Sequence, residues 1–253
     1  MTSKTLEAKG DGQQSPTFNI LENKTWRLIR FALITGIIFI ALFLVMNAQA
    51  YKSILVSTLN PEKVKQTGQI LEGSTEGKGI NLVPLMNKSE VGNTYVWLDF
   101  PVVPTDNRLV IPKLAKSVPI VETGAENLEG KNWTELEKQI QSSLQNGVLH
   151  YPNTAVPGQY GNVFITGHSS YYLWDSGSYK DVFANLYKLE IGDEYYVYYK
   201  QKKYTYKIVE KNIISPNDTT VLEQPKDKLI SSLMTCYPTG FTTSRLVITA
   251  EQQ

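Results

Sequence analysis

Apolar and polar positions divide the chain into stretches with different periods. Residues 1–23 are polar, with Gly, Gln, Ser and Lys and little periodicity, which predicts a disordered stretch within a tail over residues 1–27. Phe31 to Met46 is then an uncharged apolar run. Leu28 and Ile29 extend it backwards, and Arg30 can snorkel to the headgroups, so a transmembrane helix is expected over residues 28–50. Lys24, Arg27 and Arg30 lie on its N-terminal side. The positive-inside rule then gives a single pass, with the N-terminus cytoplasmic and the remainder outside the cell. The competing reading is a signal peptide cut after Ala48-Gln49-Ala50; the long polar segment ahead of the run favours a retained anchor. Residues 51–94 are weakly patterned, with a linker-like Gly73-Ser74-Thr75-Glu76-Gly77-Lys78-Gly79, and are expected to be a linker or N-terminal extension.

From Tyr95 the texture changes to short runs bounded by Pro, Asp and Asn. Strands are predicted over 95–98, 108–111, 118–121, 162–166, 229–235 and 245–250, with a hairpin of 194–199 and 204–213 around Gln201-Lys202-Lys203. Trp133, Leu136, Ile140 and Leu144 recur at helical spacing behind the capping pattern of Thr134 and Glu137. Gly147 is a stop, so a helix is predicted over 133–145. A short helix is expected within 179–189, and His150 falls in what reads as a loop. Seven or eight short strands with one or two small helices predict a mainly β domain over residues 95–253, a closed β-barrel behind a transmembrane helix. The helices are too few for alternating β-α units.

Composition narrows the function classes. Twenty-five basic residues against 24 acidic ones argue against a nucleic-acid partner. One Cys and two His leave little material for a zinc site. An unpaired thiol in an exported chain is either reactive or a small buried hydrophobe. Cys236 ends one predicted strand, Arg245 opens the next, and His168 follows a third. An imidazolium stabilises a neighbouring thiolate, and a guanidinium supplies donors to a tetrahedral oxyanion, so these three types together suit acyl transfer. Taken singly, each has an ordinary structural explanation. His150 is assigned a structural or surface role.

Ser232-Leu233-Met234-Thr235-Cys236, followed by Arg245-Leu246-Val247-Ile248, resembles the Thr-Leu-x-Thr-Cys signature of the sortases, with Ser232 replacing the first Thr. Sortases are membrane-anchored cysteine transpeptidases of bacterial surfaces. His150-Tyr151-Pro152, Gly161 to His168, Arg108 to Leu114 and Ile214 to Leu222 also resemble family segments, in the family's order, over residues 95–250. The resemblance implies an eight-stranded sortase-type barrel with Cys236, His168 and Arg245 around one groove. It implies attack by Cys236 on a Leu-Pro-x-Thr-Gly-like sorting signal of a surface protein, protonation of the leaving amine by His168, and orientation and oxyanion stabilisation by Arg245. The thioester is then opened by an amine of a cell-wall precursor or a pilin lysine. Thr235, next to the nucleophile, is expected either to hydrogen-bond the substrate backbone or simply to pack. No cofactor is expected. Calcium binds some members through acidic loops, but Asp181, Glu190, Asp193 and Glu194 are scattered and read as solvated surface. No C-terminal membrane span is expected. His168 precedes Cys236 by 68 positions, which fits neither an L,D-transpeptidase nor a papain-like peptidase. The non-enzymatic alternative is an idle membrane-tethered barrel that binds a surface protein.

Overall fold

Two short apolar periods, alternating strands and one amphipathic helix, generate most of the architecture in the computed structural model, which describes residues 17–75, 103–123, 133–171 and 177–253. The predicted strand at 95–98 lies outside the described residues. The strands are β1 (Arg108–Ile111), β2 (Lys116–Glu122), β3 (Val148–His150), β4 (Gly161–Thr166), β5 (Glu194–Tyr199), β6 (Lys202–Ile214), β7 (Leu229–Tyr237) and β8 (Ser244–Gln252). They close into one barrel in the order β1-β2-β3-β4-β7-β8-β6-β5. The pairs β2–β3 and β4–β7 are parallel, and the others are antiparallel.

Successive side chains on a strand face opposite ways. Val163 and Ile165 of β4, Leu233 of β7, and Leu246 and Ile248 of β8 therefore point inward together, joined by Leu109, Ile111, Val197 and Ile208. Each fully buried aliphatic side chain of this kind contributes about 1.5–3 kcal/mol. Tyr195 and Tyr206 stack inside the barrel at 5.5 Å, and the Tyr195 hydroxyl donates to Ser231 O at 3.2 Å. Burial pushes both phenols up, so they stay neutral.

The helix α4 occupies Trp133–Leu144, close to the predicted range. Its apolar stripe of Leu136, Ile140 and Leu144 packs on Leu149 and Tyr151, covering the outside of β3. One expectation is corrected: His150 ends a strand, Val148–His150, and does not lie in a loop. The short helix expected within 179–189 is the 3-10 helix Leu186–Lys188.

Ahead of the barrel lie helices that the weak patterning did not predict. The chain divides into two units, 1–45 and 46–253. The first contains most of α1 (Thr17–Met46), whose Lys24–Met46 segment of 23 residues is long and apolar enough to cross a membrane. It spans about 35 Å at 1.5 Å per residue, against a hydrocarbon core of roughly 30 Å.

The second unit begins with α2 (Ala48–Leu59) and α3 (Pro61–Thr75). Helix α2 docks through Ala50, 2% exposed, and through polar groups. Asn185 Nδ2 donates to Ser53 Oγ at 3.2 Å, and Lys188 Nζ donates to Ser57 Oγ at 2.8 Å. Helix α3 meets the 3-10 turn Pro112–Leu114 at Gly68, where a methyl group would overlap the Pro112 carbonyl oxygen.

His150 Nε2 lies 2.9 Å from Ala155 O and 3.1 Å from Thr154 Oγ1, whose own hydrogen goes to Tyr151 O at 2.7 Å. Ala155 O can only accept, so Nε2 carries the proton. Burial lowers the His150 pKa, against the opposing pull of Ala155 O and Glu122.

Two outcomes are expected. Gly68→Ala should lift α3 from its turn, lower stability by about 1–3 kcal/mol, and accelerate proteolysis within residues 61–75, read by denaturation and peptide mapping. In the fold His150 binds its second proton less readily than the unfolded chain does, so its contribution is present above about pH 6.5 and is lost as pH falls towards the lower folded value. His150→Gln should therefore flatten the stability profile between pH 7 and 5, measured by urea unfolding at each pH.

Candidate active site

One outer face of four adjacent strands carries the candidate residues in rows. Strand register pairs Cys236 with Arg245 across β7–β8, and Arg245 with Ile214 across β8–β6. The next row on the same face is Met234, Val247 and Asn212, and the next is Ser232, Thr249 and Glu210. On the other flank, β4 runs parallel to β7 with Thr166 opposite Met234, Phe164 opposite Ser232 and Asn162 opposite Ile230. Continuing that register by two residues brings His168 level with Cys236. Cys236, Arg245 and His168 thus come together at one end of one sheet face, and all three are half-buried.

Several contacts fix the end of β4. Gly167 N donates to Met234 O at 3.1 Å, and Phe183 N donates to His168 O at 2.9 Å. The imidazole of His168 stacks on Tyr171, with centroids 4.5 Å apart and planes at 29°. Gly167 is required by close approach: a Cβ there would sit 2.7 Å from the Phe183 ring.

Thr235 faces the other way. It is 3% exposed, and its hydroxyl donates to Gly167 O at 2.8 Å. Of the two roles expected of Thr235, the geometry favours packing, as a brace between the Cys-bearing strand and the residue before His168.

Arg245 Nη1 donates to Thr242 O at 3.0 Å and to Ser244 O at 3.1 Å. Among the described residues no hydrogen bond occupies its Nε or Nη2, and no carboxylate pairs with it. The guanidinium thus keeps its charge and most of its donor fork beside the thiol. The loop between Cys236 and Arg245 is held from outside: Tyr51 of α2 donates to Thr239 O at 3.3 Å, and Thr239 Oγ1 donates to Ala184 O at 3.4 Å.

The scattered carboxylates have other partners. Glu190 and Asp193 both bind Lys113 Nζ, at 2.8 and 2.7 Å, and Asp181 accepts from Gln49 at 3.4 Å. Glu194 opens β5. Among the described residues no group of three or more His, Cys, Asp or Glu side chains is placed to hold a metal ion.

The sequence reading missed Tyr171, for which a lone Tyr after Gly-His gives no signal. It also missed a cavity of about 720 Å³ along the same sheet face, reaching from Ile214 in the Arg245 row to Asn162 and Ile230, which pair three rows away. The loop between β6 and β7 walls it through Asp218, Val221 and Gln224.

A family model described as the sortase domain matches residues 109–253. Sortase D of Bacillus subtilis (strain 168) is 31% identical over 135 residues, which are 53% of this chain and 54% of that protein. The chain thus spans about half the length of that curated relative. Among solved structures, a Clostridium perfringens Sortase D5 transpeptidase is 28% identical with a TM-score of 0.45, over 59% of this chain and 79% of that one. Sortase C1 of Streptococcus agalactiae is 21% identical with a TM-score of 0.47, over 58% of this chain and 66% of that one. The matched family segment takes in every strand of the barrel except the first residue of β1, and with it Cys236, His168 and Arg245; the chain belongs to the sortase family.

Proposed function

We propose that this sortase is a cysteine transpeptidase that joins proteins to the cell surface. One observation carries the reading: Cys236 and Arg245 are direct cross-strand neighbours on an outward sheet face, and His168 follows the end of the adjoining strand β4, level with Cys236 when the register is continued. The Cys236 thiolate attacks a peptide carbonyl of a Leu-Pro-x-Thr-Gly-like signal, after Thr. A bond forms between Sγ and the carbonyl carbon, and the carbonyl π electrons move onto oxygen. Arg245 donates to that oxyanion through the donors that its own loop leaves available. Collapse breaks the C–N bond, His168 gives its proton to the leaving amine, and a thioester remains. A second amine, from a cell-wall precursor or a pilin lysine, then attacks the thioester, returns a proton to His168 and releases the thiolate.

In this reading the apolar helix that begins the 28–50 segment and ends at Met46 anchors the chain with its N-terminus in the cytoplasm, the residues from α2 to 94 connect, and residues 95–253 form the catalytic barrel outside the cell. The charge pattern Lys24, Arg27 and Arg30 ahead of an apolar helix supports that orientation. The half-buried position of Cys236, on the outer face and not in the core, favours a working nucleophile over an idle barrel.

The test is turnover by the full chain in nonionic detergent, given Leu-Pro-x-Thr-Gly and Leu-Ala-x-Thr-Gly peptides with hydroxylamine. A threonyl hydroxamate that forms with the wild type and vanishes in Cys236→Ala is expected. Arg245→Lys should keep the charge yet reduce kcat by about 10²–10³, as for loss of an oxyanion donor. Full turnover by Arg245→Lys would remove that role. Slow alkylation of Cys236, at a rate indifferent to His168→Ala, would instead indicate the idle barrel.

A second expectation concerns the brace. Thr235→Val strands Gly167 O without its donor and should cost about 1–3 kcal/mol, while lowering kcat more than it changes KM. Thr235→Ser should restore both, measured by thermal unfolding and steady-state kinetics.

A further inference from the structure

The cavity on the sheet face that carries Cys236 is chemically uneven along its length. Near the Arg245 row it is apolar, with Ile214 and Val247. Two rows further Glu210 lines it, and the loop between β6 and β7 adds the carboxylates of Asp218 and Glu223 to the lining, against the single ammonium of Lys228. Among the described residues none of the three carboxylates is ion-paired. Glu210 accepts from Asn212 Nδ2 at 2.8 Å. Asp218 accepts from the Thr220 hydroxyl and backbone N–H, which hold it below the usual carboxylate range and keep it ionised.

A separate feature of this cavity also points to a ligand. Asn162 lines it and is only 3% exposed. Its Nδ2 donates to Val221 O at 2.9 Å, which fixes the amide orientation, and its buried Oδ1 has no donor among the described residues. A buried acceptor left without a donor is unfavourable, and an N–H entering the cavity relieves it.

Register supplies the spacing. Glu210 is opposite Thr249, four residues along β8 from Arg245. Four residues of strand cover about 14 Å, the same length as four residues of an extended peptide lying alongside. Direction follows from the two-step chemistry. The acyl half stays attached to Cys236 while one amine leaves and another enters, so the long walled cavity belongs to the half that must be retained through both steps. With the reacting carbonyl in the Cys236 row, the Glu210 row meets the fifth residue on the acyl side. That is the residue immediately before a four-residue motif ending at the scissile bond.

We propose that Glu210, in a cavity whose loop wall adds the carboxylates of Glu223 and Asp218, marks a subsite that selects a Lys or Arg immediately preceding the sorting motif, with Asn162 Oδ1 accepting an N–H from the same acyl segment. This rests on the transpeptidase reading above and adds a specificity element to it. Exposed carboxylate–ammonium pairs give modest, salt-sensitive gains.

The experiment uses the full chain in nonionic detergent and three peptides that differ only at this position, with Lys, Gln or Glu before an otherwise identical cleaved motif. The expected kcat/KM order is Lys over Gln by about three- to tenfold and Gln over Glu, with the difference in KM. Raising NaCl from about 50 to 500 mM should compress the order. The double variant Glu210→Gln, Glu223→Gln should abolish the preference, and Glu210→Lys should turn it towards the Glu peptide, a reversal that general damage to the fold does not produce. Binding of the same peptides to Cys236→Ala, followed by fluorescence anisotropy, should show the same order without turnover. Equal kcat/KM for all three peptides in the wild type, with Cys236-dependent hydroxamate still formed, overturns the subsite and leaves the transpeptidase standing. Failure of every peptide to bind or react overturns both.

Discussion

The parallel pairing of β4 with β7 is the constraint on which the rest depends. Six consecutive partners, from Gly161 opposite Leu229 to Thr166 opposite Met234, tie two strands that are 68 positions apart in the chain. Parallel neighbours cannot be joined by a tight turn, so the chain must leave β4, build β5 and β6, and return. That excursion gives the barrel its far wall, and β6 returns as the outer neighbour of β8. The pairing also sets the Gly-His end of one strand beside the Cys end of the other. The hydrogen bonds of Gly167 to Met234 and of Thr235 to Gly167 extend the ladder just past the last paired residues, where the chemistry needs it.

A second consequence concerns electrostatics. The loop carbonyls of Thr242 and Ser244 hold Arg245 through one nitrogen, and no carboxylate among the described residues neutralises it. The positive charge is therefore held in place mainly by neutral acceptors. In the proposed mechanism such an arrangement would leave the field of the guanidinium for an incoming oxyanion and avoid the entropy of ordering a flexible cation at the moment of reaction. Tyr51 and Thr239 steady the same loop from its other side.

Much of this was legible in the sequence, for identifiable reasons. The runs in β4, β7 and β8 alternate around large aliphatic residues, so their period stood out, and Leu136, Ile140 and Leu144 gave α4 the same clarity. Strand β3 did not stand out, because three residues are too few to show a period and one of them is His150. Helices α2 and α3 escaped because they dock through Ala50, Ser53, Ser57 and Gly68. Those positions carry small or polar groups, whereas periodicity is sensed through large apolar ones. For Thr235 the period of two separates the substrate-contact and packing roles: a neighbour of an outward Cys236 faces inward. The cavity was invisible because Asn162, Glu210 and Glu223 come from three distant segments, and only strand register brings them together.

Strand register sets the backbones of Cys236 and Arg245 opposite each other whatever the length of the loop that joins them, and this divides the chain into parts that tolerate change differently. Residues between Tyr237 and Ser244 can be lengthened or shortened while the ladder keeps the thiol and the guanidinium opposite each other. A single residue gained or lost inside β7 would turn Cys236 into the core and bring Thr235 to the surface. Variation among descendants of this chain is thereby channelled into the loop, which decides what may approach the thiol, and kept out of the strand, which decides whether there is a thiol to approach.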